Sequence, residues 1–151
     1  MKDKLILAGS GYLGEYIGKL LLKKKLNLSI IKVCRSIKEK QLNIQNIRRD
    51  FDEEKINLQF INDSTVIYMA PPSTKSDKDV RISNFINNIE GLNINKIIYT
   101  STSGVYGDCG GKLVDEKKMA SPITERATRR VDAEKQLTNY SIKNNIKLII
   151  L

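Results

Sequence analysis

The stretch Leu5-Ile-Leu-Ala-Gly-Ser-Gly-Tyr-Leu-Gly14 constrains this chain more than any other. The apolar run from Leu5 to Ala8 suits a strand buried on both faces of a parallel sheet. Gly9, Gly11 and Gly14 follow in the spacing G-x-G-x-x-G, and Leu13, Ile17, Leu20 and Leu21 then recur at helical intervals. A strand that turns this abruptly into a helix needs each glycine for a different reason. The first permits the tight turn, the second lets a pyrophosphate approach the backbone, and the third lets helix and strand pack closely. The helix N-terminus then turns unpaired N–H groups and partial positive charge toward the same place. Gly9, Ser10, Gly11, Tyr12, Leu13 and Gly14 are therefore the expected phosphate cradle. A glycine turn without a ligand has the same spacing, so the surrounding elements have to carry the distinction.

Those elements alternate. Strands are expected over 29–34, 47–51, 65–70, 96–101 and 146–151. Helices are expected over 12–25, 37–45, 80–89 and 124–140, with an irregular helical segment over 52–61. Ile82, Phe85, Ile86 and Ile89 share one helical face, Gly91 closes that helix, and Thr124 caps the next one. Such alternation gives an α/β fold, a doubly wound parallel sheet in a single domain over 1–151, with every strand's C-terminal end on one edge beside the glycine turn. The long Gly-containing segment from Thr102 to Ile123 leaves that edge, and loops of this length in a compact domain usually serve function.

Composition removes several classes of chemistry. The 151 residues include no histidine and only two cysteines, Cys34 and Cys109. The commonest general base is therefore absent, as are Ser-His and Cys-His nucleophiles and the usual metal-ligand spacings. The two cysteines make no disulfide framework, which fits a reducing cytoplasm. No apolar run approaches the roughly 18 residues of a membrane helix, and Asp3 and Lys4 interrupt any N-terminal leader. The formal charge of +9 is spread along the chain, about a third of which is Ile, Lys or Asn. With no Trp and no interleaving of aromatic and basic residues, the charge reads as compositional drift, so neither nucleic acid nor membrane is expected as a partner.

The second strand bears on cofactor choice. NAD-binding units place an Asp or Glu near its end to hydrogen-bond the adenosine ribose. Here the sequence is Cys34-Arg35-Ser36. An arginine fork and a serine hydroxyl can instead hold a 2′-phosphate, which favours NADP over NAD, although an exposed arginine in a basic protein has the same sequence. Asp50, at the end of the expected third strand, is placed to accept from the adenine amino group, and Phe51 to flank the ring.

Gly9-x-Gly11-x-x-Gly14, Met69-Ala-Pro-Pro72 and Thr100-Ser-Thr-Ser-Gly-Val-Tyr-Gly107 together resemble the short-chain dehydrogenase/reductase superfamily, in an atypical form of its NAD-dependent epimerase/dehydratase branch. Val114-Asp-Glu116, Pro122 and Ala133-Glu134 extend the likeness, which covers essentially the whole chain. The resemblance implies a Rossmann-type NAD(P)-binding domain, a nucleotide-sugar-type or other small substrate, and pairing as a homodimer through helices beside the sheet. It also implies that Ala70, Pro71, Pro72 and Thr100 line the nicotinamide side and that Thr102 touches the substrate.

The sequence departs from that pattern in two ways. The family's Tyr-x-x-x-Lys pair falls on Arg126 and Arg130. An arginine stays protonated and cannot exchange a proton as tyrosine does. Arg130 could hold a ribose or phosphate as a cation, while Arg126 and Arg130 share one helical face, and a solvated basic helix is the other reading of Arg126, Arg129 and Arg130. Tyr106 is the substitute acid. The second departure is that the family's substrate domain has no counterpart, and the chain stops within an apolar strand, so a truncated chain is expected. Three readings result: an atypical NAD(P)-dependent oxidoreductase or epimerase/dehydratase-like enzyme, a non-catalytic NAD(P)-binding sensor or regulatory module, and an inactive fragment.

Overall fold

The computed structural model describes residues 2–37, 42–74 and 76–151. The chain alternates β1 (Asp3–Ala8), α1 (Tyr12–Lys23), β2 (Leu28–Cys34), β3 (Ile44–Arg48), β4 (Ser64–Tyr68), α2 (Val80–Ile89), β5 (Ile94–Tyr99), α3 (Glu125–Lys143) and β6 (Lys147–Ile150). The strands form one sheet in the order β3-β2-β1-β4-β5-β6, and every neighbouring pair is parallel. The expected doubly wound α/β architecture is thus the observed one. Strand order reverses between β1 and β4. In an open α/β sheet that reversal opens a crevice at the C-terminal edge, where ligands bind.

The two faces of the sheet are covered differently. On one face, α2 and α3 bury Ile82, Phe85, Ile89, Ala133 and Leu137 against Ile6, Val33, Val66 and Ile97. An aromatic group sits at its centre: Phe51 lies 5.5 Å from Tyr68, and Tyr68 lies 4.9 Å from Phe85 and 6.1 Å from Tyr99, centroid to centroid. Burying an aliphatic or aromatic side chain of this size contributes about 1.5–3 kcal/mol, so this layer dominates the fold's stability. On the other face, α1 lays Ile17, Leu21 and Leu22 over Leu5, Leu7, Ile30, Ile44 and Met69.

Four elements differ from the sequence expectation. In α1, Leu13 and Leu20 are exposed, and the buried positions are Gly14 and Gly18. The stripe facing the sheet is Gly14, Ile17, Gly18, Leu21 and Leu22, because the glycines let the helix sit close. A Cβ on Gly14 would stand 2.3 Å from Ser10 Oγ.

The third strand is Ile44–Arg48 instead of 47–51. Its register on Ile30–Cys34 puts Ile44 into the α1-side core and ends the strand before Asp50. The helix expected over 37–45 therefore fails at its C-terminal end, and its residues 38–41 lie outside the described residues. Segment 52–61 forms a single 3-10 turn at Gln59–Ile61 and is otherwise irregular. It still plugs Ile56, Leu58 and Ile61 into the aromatic-side core.

Candidate functional site

The glycine turn is held by its own backbone. Gly9 and Ser10 N–H both donate to the Val33 carbonyl at 2.9 Å, which ties the turn to β2. Gly9 has φ +75°, and a Cβ there would meet Ala70 N at 2.4 Å, so the turn also rests on the chain leaving β4. Gly11 is the opposite case: a Cβ there would meet nothing within 4 Å. Its open side is the surface that a close-lying ligand needs. No side chain caps α1, whose first N–H groups have no intrahelical acceptor.

A cavity of about 490 Å³ lies over this turn. Its floor is Gly9, Ser10, Gly11 and Tyr12, one end is formed by Cys34, Arg35 and Ser36, and the other side by Asp50, Phe51, Ala70 and Pro71. Apart from Cys34, these are the residues that the sequence assigned to pyrophosphate, 2′-phosphate, adenine and the start of the nicotinamide side. A capless helix, an open glycine and a cavity running along the β1–β4 crevice fit a dinucleotide. Phe51 contributes only an edge, since it is 4% exposed and its ring packs on Tyr68 and Phe85. Asp50 Oδ1 accepts from Asp52 N–H at 3.0 Å, which shapes the turn after β3.

Four further residues line the cavity that sequence reasoning had not placed there: Glu15, Cys34, Arg49 and Arg81. Arg49 is fixed at the rim. Its backbone N–H donates to the Cys34 carbonyl at 3.1 Å and its Nε to the Asn57 carbonyl at 3.0 Å. Arg81 donates twice to Asp52, at 2.7 and 2.8 Å, and once to the Pro71 carbonyl at 2.9 Å. The hydrogen-bonded Asp52 carboxylate holds the Arg81 pKa above its ordinary value. From the first turn of α2, this clamp ties the segment after β3 to the segment after β4 on that side of the cavity. Only the register of α2 against β4 reveals it; spacing in the sequence does not. Burial pushes the Cys34 thiol up, partly offset by Lys32.

The edge beyond β5 is organised otherwise. Pro72, Thr100, Thr102, Tyr106, Leu13, Gly14 and Arg130 do not line the cavity. Thr102 is exposed and caps the short 3-10 turn Ser103–Tyr106, its Oγ1 accepting from Gly104 N–H at 3.3 Å. Tyr106 is half-buried on that turn.

Arg126 is exposed on the first turn of α3, whereas Arg129 and Arg130 are buried. The expectation of one shared basic face, whether solvated or ligand-facing, therefore fails. Arg130 donates to Tyr99 Oη at 2.9 Å and to the Thr100 carbonyl at 3.1 Å, and its guanidinium lies over the Tyr99 ring. It braces α3 on the end of β5. Burial lifts the Tyr99 pKa to about 12 despite that arginine. Beneath the same edge, Asp79 caps α2, and burial raises its pKa above the usual carboxylate value.

No family model matches the chain, and no curated protein matches it by sequence. Solved structures do share its fold. A UDP-galactose 4-epimerase superposes with a TM-score of 0.80 at 14% identity, covering 97% of this chain and 54% of its own. A UDP-glucuronic acid 4-epimerase from Bacillus cereus, in complex with UDP-glucuronic acid and NAD, gives 0.80 at 19%, covering 97% and 55%. A UDP-Glc/GlcNAc 4-epimerase from Campylobacter jejuni gives 0.79 at 19%, covering 98% and 52%. The protein is thus of the doubly wound, Rossmann-type fold class seen in these epimerases, and it spans about half the length of those chains. Among the described residues no helix is long and apolar enough to cross a membrane.

Proposed function

We propose that this chain binds a nicotinamide dinucleotide, NADP in preference to NAD, as the cofactor-binding part of an atypical epimerase/dehydratase-like oxidoreductase. The observation that carries the reading is the cavity itself: one continuous surface runs from Ala70 and Pro71, over the open Gly11 and the uncapped α1, to Arg35 and Ser36. Gly9, Ser10, Gly11 and Tyr12 would hold the pyrophosphate through backbone N–H groups. Arg35 and Ser36 would hold the 2′-phosphate, and Asp50 and Phe51 the adenine. The nicotinamide ring, when bound, supplies a site that accepts or gives a hydride.

Thr102 and Tyr106 would meet a small substrate of the nucleotide-sugar type, Thr102 as a hydrogen-bond partner and Tyr106 as the proton donor and acceptor. Arg126 has no part in proton transfer, because a guanidinium stays charged. The neighbouring structures support the substrate class: one holds UDP-glucuronic acid with NAD, and another holds UDP-N-acetylmuramic acid.

A second reading is a non-catalytic NAD(P)-binding sensor. It is favoured by Arg126 and Arg130 at the positions of the resembled Tyr-x-x-x-Lys pair, and by the placement of Thr102 and Tyr106 outside the cavity. Fluorescence titration with NADPH and NADH tests both readings. Saturable binding, tighter for NADPH and weakened by Arg35→Asp, is the expected result. No binding of either cofactor by the folded chain overturns both. Oxidation of bound NADPH on adding a UDP-sugar-derived ketone, abolished in Tyr106→Phe, would separate the enzyme from the sensor.

A further inference from the structure

Arg49 has no part in the cofactor contacts proposed so far, yet it borders two cavities at once. A second cavity, of about 420 Å³, adjoins the first. Arg35, Arg49 and Asp50 form the wall that the two share, and Arg48, Glu53 and Lys55 also line the second. Four cationic side chains thus meet two carboxylates there, and among the described residues none of the six makes an ion pair. The Arg49 guanidinium is already oriented. Its Nε donates to the Asn57 carbonyl at 3.0 Å and its Nη1 to the Arg48 carbonyl at 2.7 Å, and the group lies 5.9 Å from the centre of the Phe60 ring. Its backbone N–H, on the Cys34 carbonyl, sets it beside the end of β2, where Arg35 follows. The two side-chain bonds leave the rest of the donor fork open. A fork fixed in this way loses little freedom on meeting a phosphate. Arg35, exposed and without a side-chain hydrogen bond among the described residues, has to be ordered by its ligand.

This inference rests on the dinucleotide reading: we propose that Arg49 is a specificity-determining residue, the fixed arm of a clamp on the 2′-phosphate that Arg35 closes. In an adenosine ribose the 2′-carbon adjoins the carbon that carries the base, so a 2′-phosphate lies beside whatever meets the adenine. Asp50, the residue placed for the adenine amino group, follows Arg49 directly in the chain. The phosphate then falls at the wall shared by the two cavities, within the reach of both arginines. A phosphate monoester carries about 1.5 to 2 negative charges at neutral pH, and the excess of cations over carboxylates in the second cavity is of matching sign and size. Glu53 opposes the phosphate, but it is exposed and screened by water. A ribose hydroxyl carries no charge, so the cationic wall separates NADP from NAD.

The test is the ratio of NADPH to NADH dissociation constants by fluorescence titration, with thermal unfolding measured alongside. In Arg49→Gln the ratio should rise about tenfold or more, the worth of charge-assisted hydrogen bonds to one phosphate. An arginine that only ties Asn57 to the end of β3 would behave differently. Its loss would lower the unfolding temperature and weaken both cofactors alike, leaving the ratio where it was. Arg49→Lys keeps the charge and loses the fork, so it keeps the test open if Arg49→Gln does not fold. There the ratio should rise less, by about threefold. An unchanged ratio in whichever of the two variants folds overturns the inference. If wild type binds neither cofactor, the dinucleotide reading fails and this inference with it. If wild type binds both without preferring NADPH, the inference fails and the dinucleotide reading stands.

Discussion

Around β1 and β2 the main chain does the positioning: Gly9 and Ser10 hang on the Val33 carbonyl, and Arg49 N–H on that of Cys34. Around β5 and α3, side chains do it instead: Arg130 on Tyr99 and Thr100, and Ser101 on Glu134. The first region forms a cavity whose shape follows from where glycines stand. The second forms a braced but open edge, with Thr102 and Arg126 exposed. A binding site made of backbone survives wide sequence drift as long as the glycines remain. A proton-transfer site depends on individual side chains, and there this chain has arginines where the resembled family has tyrosine and lysine.

The largest expected effect lies in the backbone-built region. Gly9→Ala forces a side chain at φ +75° into Ala70 N at 2.4 Å, with no flexible neighbour to give way. It should cost about 3 kcal/mol or more in urea unfolding and abolish cofactor binding. A loss of less than about 1 kcal/mol would show that the turn is not pinned as described.

In the side-chain-built region the expected effect is a pH dependence. The Tyr99 pKa is raised to about 12 in the folded state. Its folded value exceeds the unfolded one, so the stability it contributes is fully present below about pH 10 and is lost as pH rises toward about 12. A loss on the order of 2 kcal/mol across that interval should be seen in unfolding curves, and Tyr99→Phe should flatten it. An alkaline limb unchanged in Tyr99→Phe would place the titration elsewhere.

The Arg81 clamp ties α2 to the segments after β3 and β4 beside the cavity, with side chains 14% and 18% exposed in the Arg81–Asp52 pair. Arg81→Ala should destabilise by about 2 kcal/mol and weaken cofactor binding severalfold, read by unfolding and titration together. The smallest effect is expected at Arg126, where removal of an exposed side chain should stay within about 0.5 kcal/mol by thermal unfolding. A large loss there would mean that this edge is closed by contacts Arg126 makes.

The same contrast explains what was legible in the sequence. The order of strands and helices follows from apolar periodicity, and α2 is legible at its observed bounds because Ile82, Phe85, Ile86, Ile89 and Gly91 all agree, while its Asp79 cap is seen only in the structure. β3 was displaced by three residues because Ile47-Arg-Arg-Asp-Phe51 ends in a large hydrophobe that plugs the core from a turn, not from a strand. The sheet-facing stripe of α1 was misread because two of its members are glycines, which carry no hydrophobic weight in a periodicity. Most residues expected around the phosphates line the cavity, since local backbone places them. Glu15, Arg49 and Arg81 were missed because only tertiary register brings them to that surface. Arg130 looked like a cation available to a ligand, and only the packing of α3 on β5 shows it engaged with Tyr99.

Hydrogen exchange of the full chain with and without saturating NADPH tests the central claim most directly. The account predicts new protection at 9–15, 34–36, 49–51 and 70–71, with 108–121 unchanged. Protection centred on 102–126 instead, or none around the glycine turn, would contradict it.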